Sequence, residues 1–132
     1  MKPILRWIPA LTCALLIVIL SNISGGQVKA TGVTRIAYYD TIGHVVLYAI
    51  LGLSVAWPVA ETRCGYRKLV SALVTIAVCV FFGIAIEIEQ AWTGRSASWS
   101  DIMANAIGSF IGTLAFCHCG AKAWHCRTQA GR

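Results

Sequence analysis

Charge is what this sequence has least of. Of its 132 residues only 12% are charged, 58% are hydrophobic, and the mean hydropathy is +0.71. A soluble domain of this length carries about 25% charged residues. At half that share too little polar surface remains to keep a small globule in water, so lipid is the expected solvent. Acids are scarcer still, five against eleven Lys and Arg, for a net charge of +6. A basic excess suits nucleic acid when it gathers on one folded face. Here the basic residues stand between long apolar runs and at the chain ends, which is how topology charges are laid out, and no nucleic-acid partner is expected. Repeats and low-complexity tracts are also missing. So is any Ser or Cys nucleophile beside a base in a familiar motif.

What fills the space is apolar sequence in pieces of spanning length. A transmembrane helix needs about 20 mostly apolar residues. Four segments qualify, at about 4–23, 40–60, 69–92 and 100–119, with 120–132 left as a short tail. The fourth is the least hydrophobic, since it carries Asp101, Asn105 and several small residues. Asn22 to Tyr39 has no strong period and reads as a loop, whereas the other connections are short. Short links favour antiparallel neighbours. The expected fold class is an all-α membrane protein, a four-helix transmembrane bundle forming a single unit.

Orientation follows from the Lys and Arg bias of the loops. One side holds Lys2, Arg6, Arg63, Arg67, Lys68, Lys122, Arg127 and Arg132, and the other only Lys29, Arg35 and Arg95. That asymmetry places both termini in the cytoplasm. The acids run the other way: Asp40, Glu87, Glu89 and Asp101 fall at the outer ends of helices, and Glu61 alone falls inside. Lys2 and Arg6 before an apolar core, with Val28-Lys29-Ala30 after it, also fit the outline of a signal peptide. The core and the stretch that follows it are both long for one, so a retained helix is expected. Neither outer loop contains cysteine, and Cys64, Cys117, Cys119 and Cys126 lie toward the side where thiols stay reduced, so disulfides are not expected.

Chemistry-bearing residues gather at the outer ends. Asp40 and His44 are spaced to share one helix face, with Tyr48 a turn further on. An ionisable group about one turn into a membrane is a functional suspect by default. Glu87 and Gln90 share a face with Gly83 a turn earlier, while Glu89 points away, so Glu87 is assigned inward. Arg95, in the turn after this helix, is the nearest candidate cation for it. Ser98 or Ser100 would cap the fourth helix, and Trp92 and Trp99 bracket the turn as an aromatic belt does. Asp101 and Asn105 share a face that continues through Gly108 and Gly112. Ala104, Gly108 and Gly112 form a small-residue ridge of the kind that lets helices approach closely in lipid. Each residue alone has a dull explanation as a cap, a hydrogen bond or a topology marker. Together Asp40, His44, Glu87, Gln90, Arg95, Asp101 and Asn105 come from three helices and their connecting turn to one membrane face, as a ligand-binding site does. A second cluster, Cys117, His118, Cys119, His125 and Cys126, does not match familiar zinc spacing. It reads as a reduced tail, and no metal or cofactor is assigned to the chain.

At these residues the sequence resembles the VanZ-like family of small bacterial membrane proteins. The resemblance covers about Asp40 to Phe116. It rests on Asp40-x-x-x-His44 leading into Tyr48-Ala49-x-x-Gly52, then Glu87-x-x-Gln90, Gly94-Arg95-Ser96-Ala97-Ser98, and Asp101-x-x-x-Asn105-x-x-Gly108. It implies a multi-helix protein of the bacterial cytoplasmic membrane. The family is named for a member associated with resistance to the glycopeptide teicoplanin, and some relatives occur alongside surface-polysaccharide functions.

Three functional expectations follow. The first is a non-enzymatic envelope protein that binds an amphipathic ligand, a lipid-linked glycan, a lipid headgroup or a glycopeptide, with membrane lipids as its other partners. The second is an intramembrane enzyme acting on a lipid headgroup, with His44, Glu87 and Asp101 as acid–base candidates. A divalent cation could bridge the acids and His44 in such a centre. The third is a small assembly factor whose polar cluster only holds the bundle together.

Overall fold

The computed structural model describes residues 3–27, 36–62, 68–92 and 98–120, with side chains described for 4–22, 41–60, 68–92 and 98–118. Among these residues the chain is helical except at Ser98. A 3-10 turn, Pro3–Trp7, leads into α1 (Ile8–Gln27). There follow α2 (Ile36–Thr62), α3 (Lys68–Trp92) and α4 (Trp99–Ala115), and α4 ends in a π-helical turn, Phe116–Gly120. Four helices are long and apolar enough to cross a membrane, over Ile4–Asn22, Thr41–Ala60, Lys68–Trp92 and Trp99–His118. The four-helix transmembrane bundle read from hydropathy is therefore present.

The helices reach further than the apolar runs. α1 continues to Gln27 and α2 begins at Ile36, which converts both ends of the expected 22–39 loop into helix. Once a helix is nucleated each further residue adds a hydrogen bond at little cost. Helices thus outlast the apolar stretch that marks them in a hydropathy reading. At the other end of the described chain, the last span finishes in the π-helical turn Phe116–Gly120.

The bundle is inverted relative to a soluble one, with large apolar side chains outside. Leu11, Leu15, Leu73, Phe81 and Phe110 are exposed, as lipid permits. The interior is made of smaller or polar groups. Thr75, Cys79, Gly83, Ile86, Glu87 and Gln90 form the buried face of α3, and Ala104, Asn105, Gly108, Ser109, Gly112 and Thr113 that of α4. Both series advance by three or four residues, which is the spacing of one helix face. The apolar part of the core adds Ala10, Cys13 and Ile17 from α1 and Tyr48, Leu51, Val55 and Val59 from α2.

A buried hydroxyl has no water to bond, so an acceptor in the protein is at a premium. Thr75, Ser109 and Thr113 find theirs on their own helix. Thr75 Oγ1 donates to the Ser71 carbonyl at 2.9 Å, Ser109 Oγ to Asn105 at 2.7 Å and Thr113 Oγ1 to Ser109 at 2.8 Å. This back-bonding to the carbonyl four residues earlier lets a polar helix sit inside the bundle. It explains how α4, the least hydrophobic span, packs against both α2 and α3. Cys13, Cys79 and Cys117 are free thiols.

The most extensive contact in the bundle is between α2 and α4. A Cβ at Gly108 would overlap the Val45 carbonyl, and one at Gly112 would overlap the Ala49 carbonyl. From the other side, a Cβ at Gly52 would stand 2.7 Å from the Ser109 carbonyl oxygen. Three glycines thus let two backbones meet with no side chain between them. Gly43, by contrast, has nothing within 4 Å of its Cβ position. Gly112→Ala should destabilise the bundle by about 1–3 kcal/mol through overpacking. Gly43→Ala should leave it unchanged or raise its stability by up to about 1 kcal/mol, because alanine is the better helix former. Thermal unfolding in detergent, followed by circular dichroism, compares the two. Equal behaviour would contradict the close α2–α4 approach.

Candidate functional site

The end of the bundle where α2 begins, α3 ends and α4 begins carries the site. His44 stands two turns into α2, Glu87 lies near the C-terminus of α3, and Asp101 lies in the first turn of α4. One ligand atom from each, a ring nitrogen and two carboxylate oxygens, lie within 4.8 Å of one another. Glu87 is only 2% exposed, whereas His44 and Asp101 are half-buried. Glu87 is thus enclosed, while His44 and Asp101 each keep part of their surface exposed.

Each side chain is placed by local physics. Glu87 points inward because Gly83, Glu87 and Gln90 lie on the buried face of α3, and Gln90 is itself 4% exposed. Glu89, two positions on from Glu87, is exposed. α4 starts with an N-cap at Ser98, whose backbone is extended and whose hydroxyl accepts from the Ser100 N–H at 3.3 Å. The Ser98 and Ser100 hydroxyls also lie 2.6 Å apart. The Ser98 backbone N–H in turn donates to Glu87 Oε2 at 3.3 Å, tying the end of α3 to the start of α4. A carboxylate beside a helix N-terminus meets the positive end of its dipole. Asp101, in the first turn, shares that advantage.

Asn105 lies one turn below Asp101 and is 1% exposed. Its Oδ1 is 2.9 Å from His44 Nδ1. An amide oxygen can only accept, so with this orientation Nδ1 carries a proton and donates it to Asn105. That bond fixes the orientation of the ring. Below it the Tyr48 ring runs nearly parallel to His44, with centroids 6.4 Å apart and 15° between planes, and it leans on Phe82 at 6.3 Å. Gly83 makes room for this layer. A Cβ there would come within 3.0 Å of Asn105 Nδ2 and 3.2 Å of Tyr48 Cε1. Asn105 Nδ2 and the Tyr48 hydroxyl, both buried, have no hydrogen-bond partner among the described residues. In an apolar interior such groups are expensive unless something else meets them.

Of the residues expected at the site, His44, Glu87 and Asp101 converge, Asn105 contacts His44, and Gln90 is buried on the face of Glu87. The side chain of Asp40 lies outside the described residues, although its backbone falls within α2, and Arg95 lies outside them too. His125 and Cys126 of the cysteine–histidine tail are likewise outside, as is the side chain of Cys119. The Ser98 N–H was not legible as a partner of Glu87, because every residue but proline carries that donor and nothing in the side chain advertises its use. Tyr48 was visible as a residue on the face of His44 but not as a fully buried floor to the site. Trp92 and Trp99 are both exposed and flank the centre in sequence.

A family model described as VanZ/LLP1 matches residues 6–120. The chain belongs to that family. No curated protein and no solved structure matches it. With its four spanning helices, this VanZ/LLP1 chain is a multi-pass membrane protein. The matched range takes in all of α2, α3 and α4, and so every described residue of the centre.

The hydrogen bond to Asn105 has a spectroscopic consequence. With His44 labelled with ¹⁵N in the VanZ/LLP1 chain, Nδ1 should show the signature of a hydrogen-bonded N–H. Asn105→Ala should remove that signature, and an unchanged spectrum would mean that Asn105 is not its acceptor. Tyr48→Phe should leave the melting temperature unchanged or raise it, since removing an unmet buried hydroxyl of the same ring shape is nearly neutral or stabilising.

Proposed function

We propose that the chain holds the polar head group of an amphipathic envelope molecule at the His44–Glu87–Asp101 centre, in the bacterial cytoplasmic membrane and on its outer face. The observation that carries this reading is the convergence of three ionisable groups from three helices, just inside the end of a bundle that otherwise presents apolar side chains to lipid. An ionisable residue inside a membrane segment is costly and rarely kept without use. Position supports the ligand class. A molecule anchored in the bilayer by its tail would present its head group at this depth, next to the exposed Trp92 and Trp99, whose rings suit sugar faces. The candidates are a lipid-linked glycan, a lipid headgroup or a lipid-bearing glycopeptide. Arg95, in the connection between α3 and α4, would meet an anionic group bidentately. Asp40 and Gln90 would add contacts to hydroxyls or amines.

A second reading is favoured by one specific feature, the hydrogen bond from His44 Nδ1 to Asn105, which fixes the ring with Nε2 on its other side. In that reading the centre modifies the head group. His44 takes a proton from water or from an acceptor hydroxyl, and one of the two carboxyl groups in its protonated form returns a proton to the leaving oxygen. Such acid–base assistance contributes roughly 10²–10⁴ in rate. Effects on glycopeptide susceptibility or surface polysaccharide would be downstream of either reading.

Purified protein incubated with a radiolabelled lipid-linked glycan distinguishes the two. Saturable binding without product, weakened about tenfold or more by Arg95→Ala, Glu87→Gln and Asp101→Asn, supports the binding reading. A time-dependent product lost in His44→Ala supports the enzyme. In cells, His44→Ala and Glu87→Gln should leave the protein abundant while reproducing the envelope composition and glycopeptide sensitivity of a deletion strain. If both variants instead vanish from the membrane, the centre is only a packing element and both readings fall.

A further inference from the structure

We propose that His44, Glu87 and Asp101 bind one divalent first-row metal ion, of the zinc or manganese class, through His44 Nε2 and one oxygen of each carboxylate. The donors are an imidazole and two carboxylates, a set that suits Zn²⁺ and Mn²⁺ better than the all-oxygen shells that Mg²⁺ and Ca²⁺ prefer. Ligand atoms about 2.0–2.2 Å from a tetrahedral ion lie roughly 3.4 Å from one another. One ring nitrogen of His44 and one oxygen of each carboxylate already lie within 4.8 Å of one another, little more than that spacing.

The surroundings of His44 supply a second, independent observation. A metal-bound histidine almost always donates its other ring N–H to an oxygen, which fixes the ring and its tautomer. Asn105 Oδ1, 2.9 Å from Nδ1 on a side chain 1% exposed, occupies that position. The Asn105 Nδ2 beside it is buried and has no hydrogen-bond partner among the described residues. The ion also resolves a difficulty of charge. Two carboxylates this close repel each other when both are ionised, and together they would repel an anionic head group. A divalent cation between them reverses the sign of the centre.

Three protein donors leave coordination positions open, as in metal sites that take up water or substrate. His44 and Asp101 are half-buried, so an incoming ligand can approach through their exposed surface rather than through Glu87. The vacant position would take an anionic oxygen, such as that of a phosphate-bearing head group. This last step rests on the head-group reading above, whereas the metal site itself does not.

The full chain, purified in detergent and stripped with EDTA, is titrated with Mn²⁺, following free ion by electron paramagnetic resonance, and with Zn²⁺ against a chromophoric chelator. The wild type should take up about one ion per chain. His44→Ala, Glu87→Gln and Asp101→Asn should each weaken uptake at least tenfold, Asn105→Ala should weaken it about 10–100-fold, and Glu89→Gln should have no effect. Melting curves identify variants that fail to fold, and the wild-type titration needs none of them. No uptake by the wild type, or uptake unchanged in the folded His44 and Asp101 variants, overturns the proposal. Retention of radiolabelled lipid-linked glycan before and after stripping separates the two readings. Glycan bound with no metal uptake sinks the metal site and spares the head-group reading, and metal bound with no glycan retained does the reverse.

Discussion

The contact on which the rest of the structure depends is the meeting of the α2 and α4 backbones. Gly108 and Gly112 leave no room for a side chain against the Val45 and Ala49 carbonyls, and Gly52 does the same against Ser109. In lipid there is no hydrophobic force to press two helices together, so association relies on close packing and on polar bonds made across the interface. Bare backbone at three positions gives both helices that closeness. Residues one turn beyond the contact then have little freedom in how far apart they sit. His44 lies a turn above Tyr48 on α2, Asn105 a turn above Ser109 on α4, and their side chains meet at 2.9 Å. The hydrogen bond at the site follows from the glycines that sit below it.

The same packing accounts for the polarity of the interior. Serine, threonine and asparagine are small enough to stay within a tight interface, and the hydroxyls bond to carbonyls of their own helix. A larger apolar core would push α4 outward and separate Asp101 from Glu87. Polarity inside and apolar bulk outside are thus one arrangement, which lipid allows and water would not. It also supplies the setting in which a few ionisable groups carry large consequences, since each is held where water cannot freely solvate it.

Membership of the VanZ/LLP1 family covers the three helices that build the centre. The family gives the architecture, and the chemistry has to be argued from the residues. Their arrangement is more specific than a polar plug needs. A plug would be served by any mutually bonded groups, whereas here a histidine fixed by Asn105 stands beside two carboxylates, two of the three groups being partly exposed.

The amino-acid pattern by itself determined the number of spanning helices, because about 20 consecutive apolar residues have few other uses. It also determined which end of the bundle is polar, since helix spacing and antiparallel order send Glu87, Asp101 and His44 to one level whatever the packing. The inward direction of Glu87 was legible too, from its spacing to Gly83 and Gln90. Helix ends were less so, since α2 starts at Ile36, where the residues are no longer uniformly apolar. What only the tertiary structure decided is distance and partner: that three groups close to within 4.8 Å, that Asn105 takes His44, and that a backbone N–H of Ser98 takes Glu87. Hydropathy fixes depth along a helix axis, but the gap between axes is set by which side chains are missing where two backbones cross.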